Sequence, residues 1–454
     1  MIDKRNFMQL FSSLLMNSMI ANTACKAKDI KQEEIVVIGA GISGLSAAKT
    51  LKAQGYKVKI IEARNRIGGR LWTSNKWQDL PVDLGASWIH GVDNNPITEI
   101  ANQLNATLLK TEYDNSVIYN SDGKIFSDAQ QEEIEKLSNK IYSIIENAQN
   151  NNQDISIRKA IETFVKKYPK NSQTYQLINF ILNSEIEQEY GGSIDDISTF
   201  WYDSDKQFGG DDKIFKDGYN IISNFLAQGI DVELGQKVNS INWSSGKVKI
   251  TTNEKVFFAD KAIITIPLGV LKRNIIQFTP NLPNEKNIAI NNIGMGVLNK
   301  CYLRFEECFW PDDVDWIEFI SKSQGEWSEW VSFQNAAQMP ILLGFNAANK
   351  GIEIENLSDK KIVDSAMSAL KVMFGANIPK LIDYQITRWA KDEFSFGSYS
   401  YNKLGYNPKM RDALAKPLNN KLFFAGEACE KQYFGTVHGA YLSGIRAAGE
   451  IIKA

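Results

Sequence analysis

The stretch EEIVVIGAGISGLSAAKTLKAQGYKVKIIEAR, residues 33–64, constrains the fold more than any other part of the chain. IVVI is a short uninterrupted apolar run ending in a glycine, the pattern of a buried strand. An amphipathic helix follows the glycines, and KVKII reads as a second strand. Gly39, Gly41 and Gly44 stand at G-x-G-x-x-G spacing between strand and helix, the context that gives this spacing a mechanism. Gly39 permits the tight turn, Gly41 lets a pyrophosphate approach the backbone, and Gly44 lets the helix pack close to the strand. Free N–H groups and the dipole at the helix start favour the bound phosphate. Glu62 ends the second strand, 18 residues past Gly44, placed to accept from a ribose 2′-hydroxyl and to disfavour a 2′-phosphate.

The bulk of the chain can carry such a unit and more. Its 454 residues are 43% hydrophobic and 11% aromatic, enough for two or three domain-sized units with a sizeable core. With 51 basic and 53 acidic residues the net charge is −2, which gives no support for nucleic acid or an anionic membrane as partner. Four cysteines without a CxxC pair and only two histidines predict no metal centre. After the N-terminal stretch no run of about 18 apolar residues exists, so no transmembrane span is expected. Residues 1–30 read as an export leader: Lys4 and Arg5, a mildly apolar stretch from Phe7 to Ile20, then small residues before Cys25. DKRNFMQ is similar to a twin-arginine signal, which predicts a periplasmic protein folded around a cofactor before export. ANTAC offers lipidation at Cys25 as a second reading, with Asn22 where such sites usually carry leucine; a cytoplasmic leader is the third.

Material of the opening type recurs along the chain. From about Asn94 to Lys167 the sequence turns polar and helical. YNIISNFLAQ and the following GIDVELGQKVNSINWSSGKVKITTNEKVFFADKAIITIP then read as a helix and several short strands. LFFAGEA and GAYLSGIRAAGEIIK close the chain with another strand and helix. The implied organisation is discontinuous: residues 31–92, 213–290 and 388–454 in a cofactor domain, residues 93–212 and 291–387 in a substrate domain.

The segment EARNRIGGRLWTS identifies the cofactor type. A simple NAD domain has no use for Gly68, Gly69 and Arg70 immediately after the acidic strand, and Arg70 can add charge-assisted bonds to a diphosphate. Together with FFAGEA, this order of motifs resembles the flavin amine oxidase family of monoamine oxidases, polyamine and spermine oxidases and flavin histone demethylases, from about Glu34 to Ile452. The resemblance implies an α/β fold: a Rossmann-like FAD domain of the glutathione-reductase type, interleaved with an α+β substrate domain on a mixed sheet. It implies FAD along an extended crevice, held by Glu62, Arg70, the backbone of Val238, Gly426, Glu427 and Val437, with Trp389 near the flavin. Val238 reads equally well as ordinary strand core, and Trp389 as a core tryptophan. Lys300 in VLNKCYLRF matches the family's active-site lysine, although alternation along that strand alone equally allows it to face solvent. Tyr399 would be the tyrosine wall beside the flavin. Ser398 stands where monoamine oxidases carry the flavin-linked cysteine, which implies non-covalent FAD. Thr436 leaves only half of an aromatic cage.

DLGASWIHG, residues 83–91, bears on the substrate. Amino-acid oxidases of this superfamily carry a carboxylate-gripping arginine near Ser87–Trp88, and no arginine lies between Arg70 and Arg158. Trp88-Ile89-His90 is similar to the W-x-H pattern of polyamine-type oxidases, with Gly85, Ala86, Ser87 and Trp88 beside the cofactor and His90 at a substrate nitrogen. SEIEQEYGGSIDDIS supplies Glu185, Glu187, Glu189, Asp195 and Asp196, of which Glu189 is the candidate partner for a distant ammonium, although such acids also suit a solvated face. His438 reads as structural. The expected activity is oxidation of a small polyamine or related amine, with imine hydrolysis and oxygen reduced to hydrogen peroxide. An L-amino-acid oxidase or monooxygenase, rescued by Arg304 or Arg388, is the alternative on the same fold; a desaturase or a non-enzymatic partner-binding flavoprotein is a further one. Histone demethylation is not expected, since no long coiled-coil insertion interrupts the chain. The sequence does not fix the oligomeric state.

Overall fold

The computed structural model describes residues 33–454; the leader and Cys25 lie outside the described residues. Five parallel strands build the first sheet, in the order Leu422–Phe424, Lys261–Ile264, Glu34–Ile38, Lys57–Ile61, Asp231–Glu233. They come from the start, middle and end of the chain. Alternation decides what each face of the central strand meets. Ile35 and Val37 join Leu45, Ala48 and Leu51 of the helix Ile42–Ala53 in one cluster. Val36 and Ile38 join Ile241 and Ile250 of a four-stranded sheet in another. A parallel sheet covered on both faces reads as such a continuous apolar run. The last helix, Val437–Lys453, lies against Ile42–Ala53: a Cβ on Gly444 would sit 2.1 Å from Ser43 O, so only glycine allows that approach.

The second large sheet has six strands, ordered Leu381–Ile386, Leu298–Phe305, Ile341–Ala347, Glu329–Ser332, Trp316–Phe319, Ser116–Tyr119. All its pairs are antiparallel except the last, so it is mixed. Cys301, Leu303 and Phe305 pack with the helix Asp359–Phe374 on one face. Tyr302, Leu343, Phe345 and Val331 fill the other. Both faces are therefore buried, and Lys300 is only 5% exposed rather than on a solvent side.

The polar region after Asn94 holds helices Asp128–Gln149, Ile157–Val165 and Gln173–Ile181. It also contains two strands that the polar pattern hides, Leu108–Lys110 and Ser116–Tyr119. Each is short, and each pairs with a partner remote in sequence, Lys213–Phe215 and Trp316–Phe319. The helix Gln173–Ile181 runs on through a π-helical turn, Leu182–Glu187, a departure that recurs at functional sites. Among the described residues no helix is long and apolar enough to cross a membrane. The architecture is α/β, a parallel sheet with the dinucleotide-type turn beside a mixed-sheet α+β portion.

Candidate active site

One cavity of about 900 Å³ runs from the glycine turn to the six-stranded sheet. Its wall includes Gly39, Gly41, Glu62, Arg70, Gly85, Ala86, Ser87, Trp88, Val238, Lys300, Trp389, Gly426, Glu427 and Val437. Gly44 is not on that wall. Its added Cβ would lie 2.0 Å from Gly39 O and 3.1 Å from Val37 Cγ1, the close helix–strand approach expected of the third glycine. Gly39 adopts φ +110°, a region L-residues rarely occupy. Glu62 is buried and accepts from Ala40 N at 2.7 Å and Arg64 N at 2.8 Å, which fixes its carboxylate beside the turn. Arg70 donates to Glu427 Oε1 at 2.7 Å and Ser398 O at 2.9 Å. Burial works to raise the Glu427 pKa, but Arg70 and bonds from Ser400 outweigh it and the net shift is downward.

DLGASWIHG is both a buried turn and a cavity wall. Val82–Asp83 pairs with Thr73–Ser74, and Gly85 passes so close to Arg70 O that a Cβ would sit 1.8 Å away. Lys300 Nζ donates to Asp83 O at 2.9 Å, Gly85 O at 2.6 Å and the Ser87 hydroxyl. Tyr302 OH and Trp389 Nε1 bind the same turn, at Asp83 O (2.9 Å) and Leu84 O (3.1 Å). Burial drives the Lys300 pKa well below that of an exposed lysine, partly offset by attraction to Asp83. Burial raises the Asp83 carboxyl, which Thr73 Oγ1 and Tyr219 N hold in place.

The four residues expected at the substrate also reach the cavity, in different ways. His90 is on a wall, with 58% of its side chain exposed, and its Nδ1 lies 2.8 Å from Asp212 Oδ2. Desolvation in the cleft works to lower its pKa, the Asp212 contact outweighs it, and the net shift is upward. Tyr399 donates to Gln188 O at 2.6 Å, tying its stretch of the cavity wall to the helical insert. Thr436 caps the last helix: its Oγ1 accepts from Gly439 N and donates to Tyr433 O, so its hydroxyl is engaged in the fold. Glu189 is exposed on the wall. Of the other four acids near it, Glu185 alone lines the cavity; Glu187 turns inward to Asn183 Nδ2 and Ile194 N, and Asp195 pairs with Arg158.

Arg411 and Glu329 escaped the sequence reading, and His438, read as structural, also reaches the cavity. Arg411 is wholly buried and donates to Ser400 Oγ, Asn402 Oδ1 and Ala428 O, bracing the strand-and-loop beside Glu427. His438 lines the cavity between Phe208 and Tyr433, and burial pushes its pKa down to about 3, so it is neutral at physiological pH. Glu329 lines the cavity from the six-stranded sheet while only 5% exposed. The one signal for it was an acid inside the aromatic run WSEW, residues 327–330.

The match to known proteins covers nearly the whole chain. Residues 42–452 fit the family model "Flavin containing amine oxidoreductase". The chain belongs to the flavin-containing amine oxidoreductase family. Polyamine oxidase 3 of Oryza sativa subsp. japonica is 34% identical over 95% of this chain and 92% of its own length. Polyamine oxidase 2 of Arabidopsis thaliana is 33% identical, over 92% and 88%. Lysine-specific histone demethylase 1 homolog 2 of Arabidopsis thaliana is 33% identical, but the chain spans only 58% of it. A putrescine oxidase double mutant superposes with a TM-score of 0.74 over 93% of this chain and 99% of its own, at 19% identity, which speaks to the fold.

The cavity of this flavin-containing amine oxidoreductase fits FAD on its own geometry. A Cβ on Gly41 would have no protein atom closer than Gly68 O at 4.0 Å, and one on Gly426 would meet nothing within 4 Å. Both glycines therefore present open backbone to the cavity. Gly41 gives the helix Ile42–Ala53 no side-chain cap, so its first-turn N–H groups stay available to a diphosphate. The Glu62 carboxylate keeps acceptor capacity for a ribose hydroxyl beyond its two backbone bonds. The volume lies near the top of the ~300–1,000 Å³ range of cofactor and ligand pockets.

Proposed function

We propose that this chain is a polyamine oxidase, oxidising a free or acetylated polyamine or a related secondary amine. The carrying observation is the charge of the substrate end of the cavity. Its wall there holds the acidic side chains Glu185, Glu189, Asp205, Asp212 and Glu329 against the lysines Lys110 and Lys206, and Lys110 is paired with Glu112 and Asp211. The two arginines on the whole wall, Arg64 and Arg70, are paired to Asp392 and Glu427. Arg304 is held by Asp79 at 2.7 Å and Arg388 by Asp359 at 2.6 Å, and neither lines the cavity. A polycation suits that wall, and a substrate carboxylate has no free arginine to grip it. The names of the rice and Arabidopsis relatives support the same class.

Bound FAD supplies the hydride acceptor for the carbon beside the amine nitrogen. The protein's part begins with orientation. Tyr399, Trp88 and Phe345 form aromatic and apolar walls, and Trp88 stacks at 6.0 Å on Trp316. The reacting nitrogen must be neutral, so its proton must leave before or with the hydride. Lys300 is the group suited to move protons or hold a water there: it is buried, its pKa is lowered, and three acceptors from residues 83–87 fix its amine. His90 and Asp212 act at the outer wall, where they hold a substrate nitrogen by hydrogen bond. Water then hydrolyses the released imine, and oxygen reduction to hydrogen peroxide completes the cycle.

Ser398 supports non-covalent FAD, since its hydroxyl bonds Leu298 N and O and no cysteine stands there. The leader supports export of the folded holoenzyme, tested by locating full-length protein in periplasmic against cytoplasmic fractions. The activity is tested by coupled peroxide detection with spermine, spermidine, their acetylated forms and a panel of L-amino acids. Peroxide from polyamines alone supports the reading; peroxide from amino acids alone overturns it.

A further inference from the structure

Lys300 is a buried amine whose three acceptors are all uncharged: the carbonyls of Asp83 and Gly85 and the Ser87 hydroxyl. An ammonium enclosed among neutral groups needs an opposite charge nearby. The Asp83 carboxylate is enclosed as well, and it belongs to the residue whose carbonyl oxygen accepts from Lys300 Nζ at 2.9 Å. The carbonyl oxygen and the carboxylate of one aspartate are at most about 5 Å apart across bonds of ~1.2–1.5 Å. The two charges therefore stand within roughly 8 Å of each other, joined through a single residue. Tyr302 OH donates to the same carbonyl at 2.9 Å and closes the space between them.

The carboxylate is held as an anion by neutral donors. Thr73, its cross-strand partner, donates through Oγ1 to Oδ1, and Tyr219 N donates to Oδ1 at 3.1 Å. Tyr219 stands at the start of the helix Asn220–Ala227, where negative charge is favoured, and Asn220 N donates to Thr73 Oγ1 at 3.0 Å. A Cβ on Gly218 would sit 2.2 Å from Thr73 Cγ2, so only glycine lets the threonine take this place. Among the described residues no cation bonds the Asp83 carboxylate and no carboxylate bonds Lys300. The other titratable groups facing the pair are the phenols of Tyr219 and Tyr302, which burial keeps protonated. The Trp88 ring lies 5.5 Å from Lys300 Nζ, and the next acid on that face of the sheet is Glu329, two strands away.

We propose that Asp83 is a positioning residue for Lys300: its carboxylate balances the buried ammonium and so fixes the pH at which the amine exchanges a proton with the cavity. This rests on Lys300 as the group that moves protons, and not on which amine is oxidised. With the proton on Lys300 the pair is an ammonium and a carboxylate. When the proton leaves to a cavity water, a free amine remains beside the carboxylate, which stays bonded to Thr73 and Tyr219 N. Burial disfavours the charged form of both groups, and Asp83 is what works against it at Lys300. Asp83 thereby makes Lys300 the stronger base, able to take a proton from a group in the cavity near neutral pH. Opposite charges about 8 Å apart, at an effective dielectric of about 20, change proton affinity by at least tenfold.

The test reads the charge on Lys300 through the bound cofactor, with no amine present. The absorption band of the oxidised flavin is titrated with pH in the holoenzyme, and the step that Lys300→Met abolishes belongs to the lysine. Asp83→Asn keeps an oxygen to accept from Thr73 and Tyr219 N but removes the charge. It should lower the midpoint of that step by at least one pH unit, a tenfold loss of proton affinity, with FAD still bound. Thr73→Val removes the hydroxyl donor and should move the midpoint the same way by less, and Thr73→Ser should return it to the wild-type value. Asp83→Asn added to Lys300→Met should bring no step back. An unchanged or higher midpoint in Asp83→Asn would overturn the assignment, as would a wild-type band without a step that Lys300→Met removes. Should Asp83→Asn fail to fold, an unchanged midpoint in Thr73→Val overturns it alone. Oxidised wild type whose flavin no polyamine reduces would sink the substrate reading instead, a separate result.

Discussion

Two alanine substitutions three residues apart should act in opposite ways. Gly41 has φ −74° and ψ 175°, which alanine adopts without strain, and its Cβ would meet no protein atom nearer than 4.0 Å. Restricting the unfolded chain favours Gly41→Ala by about 0.4–1 kcal/mol. Loss of a better helix N-cap costs a similar amount, so the apoprotein should stay within about 1 kcal/mol of wild type. The new methyl instead occupies the open backbone where the FAD diphosphate comes closest. We expect FAD affinity to fall at least tenfold, about 1.4 kcal/mol, and the stabilisation of the fold by added FAD to fall equally. Gly44→Ala places its Cβ 2.0 Å from Gly39 O and 3.1 Å from Val37 Cγ1, away from the cavity. Such overpacking costs about 1–3 kcal/mol or more, so this variant should lose apoprotein stability first. Fluorescence titration of apoprotein with FAD and thermal melts with and without FAD separate the two effects. Wild-type FAD affinity in Gly41→Ala would refute the placement of the cofactor on this turn.

Three further outcomes follow from the site. Lys300→Met removes the amine that three acceptors hold, and should slow the reductive or oxidative half-reaction at least tenfold with FAD still bound; stopped-flow rates equal to wild type in both halves would take Lys300 out of the mechanism. Acid precipitation should release all yellow colour to the supernatant, and flavin retained on the pellet would contradict the reading of Ser398. Burial pushes the Glu329 carboxyl up from 4.5 to about 8, so its contribution to stability is complete below about pH 4.5 and is lost as pH rises through 8. Melts of wild type and Glu329→Gln without substrate should therefore converge at low pH and separate in the variant's favour toward pH 8; parallel curves would mean that the carboxyl does not titrate in that window.

How far the sequence carried depended on the range of the interactions. The strand–turn–helix at Gly39 is local, and its glycines and Glu62 lie within 24 residues of one another, so spacing alone conveys the geometry. The parallel sheet was readable for the same reason, strand by strand. Lys300 came from resemblance, because alternation along one strand cannot tell a cavity face from a solvent face when both faces are buried. Glu329 reaches the cavity through the pairing register with its neighbouring strands, and a single-residue slip would turn it to the other face. Nothing in a linear pattern encodes that. His90 was readable only through the resemblance of Trp88-Ile89-His90 to the W-x-H pattern, and its partner Asp212 is 122 residues away. Thr436 looked like a cage position, and the helix claimed its hydroxyl as a cap.

The most direct measurement is anaerobic mixing of the oxidised holoenzyme with spermine, spermidine, their acetylated forms, simple monoamines and L-amino acids, following the flavin band. The account predicts fast bleaching by one or more polyamines and slow or no bleaching by monoamines and amino acids. Bleaching by amino acids alone would contradict it, because the arginines on the cavity wall are already committed to Asp392 and Glu427.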